Sequence, residues 1–266
     1  MINGKWYSEK EKVMKSRLSC MVVVVGMALA SMSAHAAVDW TWTLNGTPTG
    51  SNLPGTASAM GYSASSNTTA LVATSGSGLP DMTWYSGSGF GICSPTPGDP
   101  TCNSPNHAVD NKDAKESIVL SFGSKVTLSW LDIGWNGGYD SDLSVLAYTG
   151  TGTPVSSSST YSTLLANGWS LVGQYANVPV STSLTTPSLN LGTTLSSSYW
   201  MIAAYNSTFG GACTGGACGD SNDYVKIFAV AGNTASNGGK VPEPAALLLF
   251  GTAIAGIIGL RRRRPD

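Results

Sequence analysis

ESIVLSFGSKVTLSWLDIGW, residues 116–135, is the stretch whose reading decides the fold. Its first arm is crowded with β-branched and aromatic residues, and Gly123-Ser124 separates it from a second arm of the same character. That pattern predicts a β-hairpin closed by a short turn. In the second arm the apolar residues Val126, Leu128 and Trp130 fall on even numbers, while Leu131, Ile133 and Trp135 fall on odd ones. A one-residue slip of this kind marks a β-bulge, a device that re-aims side chains beside sites.

Further strands are expected at residues 38–44, 143–148, 169–175, 199–206 and 224–231. In residues 38–44 (VDWTWTL), Val38, Trp40, Trp42 and Leu44 alternate with Asp39, Thr41 and Thr43, so one face of that strand meets a core and the other meets water. Ser, Thr, Gly and Asn dominate the body and no stretch sustains a helical period. The expected fold class is therefore all-β, an antiparallel β-sandwich of jelly-roll type. Residues 161–167 (YSTLLAN) suit one short helix capped by Gly168. Between Leu44 and Lys112 the Gly/Ser/Pro-rich chain predicts long surface loops.

Both ends of the chain differ from this body. From Met14 the sequence reads MKSRLSCMVVVVGMALASMSAHA, with Lys15 and Arg17 ahead of an apolar core and then Ala34-His35-Ala36. This is the pattern of a secretory signal peptide, cut between Ala36 and Ala37 by signal peptidase after passage through the translocon. Met14 is the expected true start, and residues 1–36 are leader and signal peptide. Cys20 precedes the apolar core and would leave with it. At the other end stand Pro242-Glu243-Pro244, sixteen uncharged residues at 245–260, and Arg261, Arg262, Arg263 and Arg264. The apolar run spans about 24 Å as a helix, enough for a transmembrane helix across a thin bilayer. The arginines would hold its end in the cytosol.

The triplet, apolar helix and basic tail, in that order, closely resemble the bacterial PEP-CTERM sorting signal. The resemblance implies a temporary inner-membrane anchor over residues 242–266, cut near the triplet by the membrane protease exosortase, with release to the cell surface or extracellular matrix. Residues 232–241 would be a flexible tether and residues 37–231 the secreted domain. The blocks DIGWNGGYDSDLSVLAYT (132–149), LLANGWSLVGQYANV (164–178), SSSYWMIAAYN (196–206) and DSNDYVKIFAVAG (220–232), with HAVDN (107–111), resemble one subgroup of exosortase-dependent surface proteins. That resemblance implies a single exported domain and assigns no catalytic residue.

Composition narrows the function classes. Residues 37–240 hold Lys112, Lys115, Lys125, Lys226 and Lys240 against 11 acidic residues, a net charge of −6. Without clustered cations, nucleic acid binding is excluded. Cys93 with Cys102 and Cys213 with Cys218 read as two local disulfides of an exported protein. The competing reading, a metal site, lacks C-x-x-C spacing, and His107 is the one histidine of the body.

Three polar clusters could carry chemistry: His107 to Asn111; Asp132, Asn136, Asp140 and Asp142; and Asp220 to Asp223. Asp132, Asp140, Asp142, Asp220 and Asp223 are the candidate ligands of a structural calcium ion, which prefers about six to eight oxygens. Turn chemistry explains the same residue types, and the calcium reading requires at least two clusters to meet in space. No other cofactor is implied. The acids could supply a glycosidase pair, but none is marked out, and no G-x-S-x-G elbow is present. The chain is expected not to be an enzyme. Trp84, Tyr85 and Tyr139, in Gly/Ser-rich surroundings, are the aromatic residues expected to be exposed and able to stack on sugar. The resulting expectation is a structural or adhesive protein of the surface, exopolysaccharide or biofilm matrix. Its rivals are a calcium-assisted carbohydrate-binding module and a surface glycoside hydrolase.

Overall fold

The computed structural model describes residues 38–74, 80–94, 102–219 and 221–235. The residues expected to form a signal peptide and its cleavage site (1–37), residues 236–241 of the expected tether and the expected sorting signal at 242–266 lie outside them. Among the described residues no helix is long and apolar enough to cross a membrane.

The fold is built on β-strands: β1 (Trp40–Thr43), β2 (Thr49–Gly50), β3 (Ala57–Ala64), β4 (Val72–Ala73), β5 (Asp81–Tyr85), β6 (Gly89–Cys93), β7 (Val109–Asp110), β8 (Lys115–Trp135), β9 (Leu143–Tyr148), β10 (Trp169–Tyr175), β11 (Leu189–Asn190), β12 (Ser197–Ala204), β13 (Cys213–Thr214) and β14 (Tyr224–Thr234). They join into one large mixed sheet with the path β13-β10-β9-β12-β8-β14-β1-β2. Most pairs are antiparallel, as expected; β10 and β13 run parallel.

The stretch that decides the fold is a single strand of 21 residues, not a hairpin. Its first arm, residues 115–122, lies between β3 and β12, and its second arm is flanked by β14 and β11. Gly123 is where the two arms meet, and it makes no turn: its N–H donates to the Thr56 carbonyl at 2.7 Å, and Ser124 Oγ donates to the Pro54 carbonyl at 3.0 Å. A Cβ on Gly123 would stand 3.0 Å from the Thr56 nitrogen, so glycine is kept here for close backbone approach.

The expected slip in the second arm is real. Register shifts fall where Ser129, Gly134 and, on β14, Phe228 are extra residues. Val126, Leu128, Leu131 and Ile133 all enter the main core, whereas Trp130 goes to a separate small cluster with Ala229 and Ala231. The change of parity therefore lies at Ser129, one residue ahead of the place the sequence suggested.

The main core takes Ile118 and Leu120 from the first arm, Leu131 and Ile133 from the second, Trp200 and Ile202 from β12, Val145 from β9, and Val225 and Val230 from β14. Phe122 meets the rings of Trp40 and Trp42 at 5.3 and 5.7 Å. Strand β1 alternates buried and half-buried residues, as its pattern predicts. Strand β9 is buried throughout, because its other face packs Leu146 with Met201, Val119, Tyr161 and Trp169 in a second core. The expected helix at residues 161–167 is two short 3-10 turns, Tyr161–Thr163 and Leu165–Asn167, followed by Gly168 in the left-handed conformation.

Two expectations are corrected. The segment between Leu44 and Lys112 is not only loop; it contains β2 to β7. Strand β3 (ASAMGYSA) hides because small and polar residues fill positions where its backbone, paired along the whole first arm of β8, makes the bonds. And β14 runs on to Thr234, so residues 232–234 are strand, hydrogen-bonded to residues 126–128, and not tether.

Trp200 is fully buried and its Nε1 donates to the Ser197 carbonyl at 3.1 Å. Trp200→Ala should cost about 3–5 kcal/mol in urea unfolding, whereas Val72→Ala, at a position 52% exposed, should change stability by about 0.5 kcal/mol or less.

Candidate functional site

Pairing of β7 with the start of β14 brings Asp110 opposite Tyr224. A parallel bridge between Asp140 and Asp223 then ties the segment before β9 to the segment before β14, and the Tyr224 N–H donates to the Asp140 carbonyl at 3.0 Å. Members of all three polar clusters, Asn111, then Asp140 and Asp142, then Asp223, thus meet at one place. The carboxylates of Asp140, Asp142 and Asp223 lie within 4.8 Å of one another.

Asn111 is the clamp of this junction. Its Oδ1 accepts the N–H groups of Ser221 and Asp223, both at 3.1 Å, and its Nδ2 donates to the Tyr205 carbonyl at 2.8 Å and to Asp223 Oδ2 at 2.5 Å. Asp223 Oδ1 accepts the Asp142 N–H at 2.8 Å. The Asp142 carboxylate takes the N–H of Asn177 at 2.8 Å on Oδ1 and of Gly219 at 3.0 Å on Oδ2. Asp140 Oδ1 accepts the Ser141 N–H at 2.9 Å. Each carboxylate is positioned by backbone donors, and among the described residues none by a lysine or arginine.

Burial drives the protonation of this group. It pushes the Asp223 carboxyl up to about 8, with the charges of Asp142 and Asp140 adding to the rise and the donors from Asp142 and Asn111 opposing it. Burial also raises Asp142, against the pull of the Asn177 and Gly219 N–H groups, and Asp140 adds to the rise. Three close acids with no cationic side chain among them can share protons or gather round a cation. Asp220 lies outside the described residues.

Asp132 does not join them. It is buried in β8, where Oδ1 accepts the Ser188 N–H at 2.7 Å and Oδ2 meets no donor among the described residues. It pins the segment before β11 to the bulged strand.

The cysteines pair as their spacing predicts, Cys93 with Cys102 and Cys213 with Cys218, at Cα separations of 5.5 and 6.1 Å. Of the aromatic residues, Tyr139 is 42% exposed and its ring lies 4.8 Å from that of Tyr224. Trp84 and Tyr85 belong to β5 and are half-buried, not in an exposed loop. Trp84 packs on Phe90 and Phe228 at 5.4 and 5.6 Å, and Tyr85 on His107 at 4.7 Å.

Two features escaped the sequence reading. Glu116 is buried, with Oε2 accepting the Asp110 N–H at 3.1 Å and Oε1 accepting Ser94 Oγ. Burial, chiefly, holds its carboxyl well above the usual range, and Asp110 is likewise pushed up to about 7. Lys226 is buried with its ammonium over the rings of Trp135 and Tyr85. A lone lysine inside the apolar run YVKIFAVA was the legible sign of the second feature.

Residues 240–264 match the PEP-CTERM protein-sorting motif. No curated protein and no solved structure matches the chain. The motif supports an exported surface protein that exosortase processes, anchored at the membrane before cleavage.

Burial pushes the Asp132 carboxyl up to about 6 against the Ser188 donors. Because the folded value is raised, the stability tied to its protonated form is complete below the unfolded value of about 3.9 and is lost as pH rises through about 6. The urea midpoint of Asp132→Asn relative to the parent should therefore shift in the variant's favour between pH 4 and 7. Slopes from the other acids are common to both proteins and cancel in that difference.

Proposed function

We propose that the chain is a structural or adhesive component of the bacterial cell surface or its exopolysaccharide matrix, without catalytic activity. The sorting motif at residues 240–264 is the observation that carries this reading. The polar surface, the two disulfides and the net charge of −6 on residues 37–240 agree with life outside the cell. In this proposal residues 1–36 direct export, residues 37–235 make the secreted domain, with its sheet folded on itself as a sandwich, and the chain belongs to the subgroup its internal blocks resemble. The apolar helix at 245–260 is the temporary anchor. A reporter fused after Lys240 of the full chain should be active only outside the cytosol, and replacing Arg261 to Arg264 by alanine should slow retention at the membrane. A reporter active in the cytosol contradicts the proposal.

A second reading, a calcium-assisted carbohydrate-binding module, is favoured by the approach of Asp140, Asp142 and Asp223 to within 4.8 Å. Calcium binding by these acids would stabilise the folded state by about 2.7 kcal/mol at a concentration one hundred times the dissociation constant. Thermal unfolding at pH 7 should then rise with added calcium in the parent and not in Asp142→Asn. Equal unfolding temperatures with calcium and with chelator would leave proton sharing as the role of the three acids.

A further inference from the structure

Lys226 sits between Val225 and Ile227, both of which point into the main core, so its side chain leaves the other face of β14. It is 2% exposed, and burial lowers its ammonium to about 8. Its neighbours are rings. Nζ stands 3.8 Å from the centre of Trp135, its cross-strand partner, and 4.4 Å from that of Tyr85. The His107 ring closes the group, 4.7 Å from Tyr85 and 5.7 Å from Trp135. A cation held against ring faces is attracted by their quadrupoles. The ammonium, set against both ring faces, holds their orientation from beneath.

The aromatic surface continues past Trp135. Gly137 has φ +62, and a Cβ there would fall 2.4 Å from Trp135 Cζ2 and 3.1 Å from Tyr139 Cδ2. The edges of both rings thus flank one point beside a glycine that leaves the space between them clear. Trp135, Tyr85 and His107 are half-exposed, and Tyr139 is 42% exposed. Tyr139 in turn rests on Tyr224.

We propose that Tyr85, Trp135 and Tyr139 form a sugar-stacking platform for a neutral pyranose polysaccharide, with Lys226 as the positioning residue that holds Tyr85 and Trp135 in place. The inference rests on the matrix reading and names its ligand class. Flat, half-exposed rings offer the C–H face of a pyranose an apolar contact without needing a charge on the sugar. The rim selects against anionic sugars. Asp81 lies close enough to Tyr85 to add to burial in raising its phenol, and Asp110 and Asp113 do the same to Tyr224 beneath Tyr139. Asp140 follows Tyr139 directly in the chain. Lys226 is covered by the rings and offers no exposed charge to a carboxylated or sulfated chain, while Lys112 and Lys115 offset Asp110 only in part.

The test uses protein recovered from the extracellular fraction of cells producing the full chain, titrated calorimetrically with cellohexaose and with hexagalacturonate. Cellohexaose should bind, and hexagalacturonate should bind about tenfold more weakly or not at all. Tyr139→Ala and Trp135→Ala should each weaken cellohexaose binding about tenfold, with the Tyr139 variant, at an exposed position, keeping the parent's unfolding temperature. Lys226→Met should weaken binding and increase iodide quenching of tryptophan fluorescence, and Lys226→Arg should restore both. Parent-like binding by both ring variants, tighter binding of hexagalacturonate, or no cellohexaose binding at millimolar concentration would overturn the platform. Protein found only in the membrane or cytosolic fraction would instead count against the export reading, and the same titrations on that material would still judge the platform.

Discussion

The sheet is organised around β8, a strand of 21 residues that has backbone groups to satisfy along both edges. Unpaired N–H and C=O groups in a buried strand are costly, so the neighbours of β8 are recruited at both ends: β3 and β12 along the first arm, β14 and β11 along the second. Where the arms meet, Gly123 lets Thr56 approach closely enough to keep the bonding continuous. Where the second arm must share a core with the first, the bulge at Ser129 moves Leu131 and Ile133 inward.

The junction of Asn111, Asp140, Asp142 and Asp223 follows from that arrangement. Strand β7 ends, and strands β9 and β14 begin, beside one another, and side chains join the segments there. Asn111 does this through four hydrogen bonds of its side-chain amide. Bringing acids together in a buried place has an electrostatic consequence, the rise of Asp223 and Asp142 above the ordinary carboxylate range. The lysine of β14 follows a different logic. It leaves the face of β14 opposite the main core, and its ammonium meets the ring faces of Trp135 and Tyr85.

Strands rich in large apolar residues were legible in the sequence. Residues 143–148 and 169–175 are strands at the expected bounds, because Leu, Val, Trp and Tyr there carry the packing. Strand β3 was not legible, since Ala, Ser and Gly show no apolar period and its position is set by its partner. Gly123-Ser124 carries the local signature of a turn, yet long-range pairing with residues 54–56 overrides it. The Asp/Asn clusters were visible as residue types, but their meeting needed the pairing of β7 with β14, strands from distant parts of the chain. Asp132 belonged to a cluster by sequence proximity alone; buried on the face of β8 opposite Leu131 and Ile133, it serves Ser188. Trp135 and Lys226 took on a role through cross-strand pairing that their spacing does not disclose.

The sorting motif supports an exported protein anchored at the membrane before exosortase cleaves it, and the proposal adds a signal-peptide cut at the other end. Intact-mass and terminal-peptide analysis of the protein collected from outside the cells addresses this most directly. The account predicts a chain that starts at Ala37, ends near Pro242 to Pro244, and carries Cys93, Cys102, Cys213 and Cys218 with no free thiol. A product that retains Arg261 to Arg264, with four cysteines that alkylate without reduction, would contradict it.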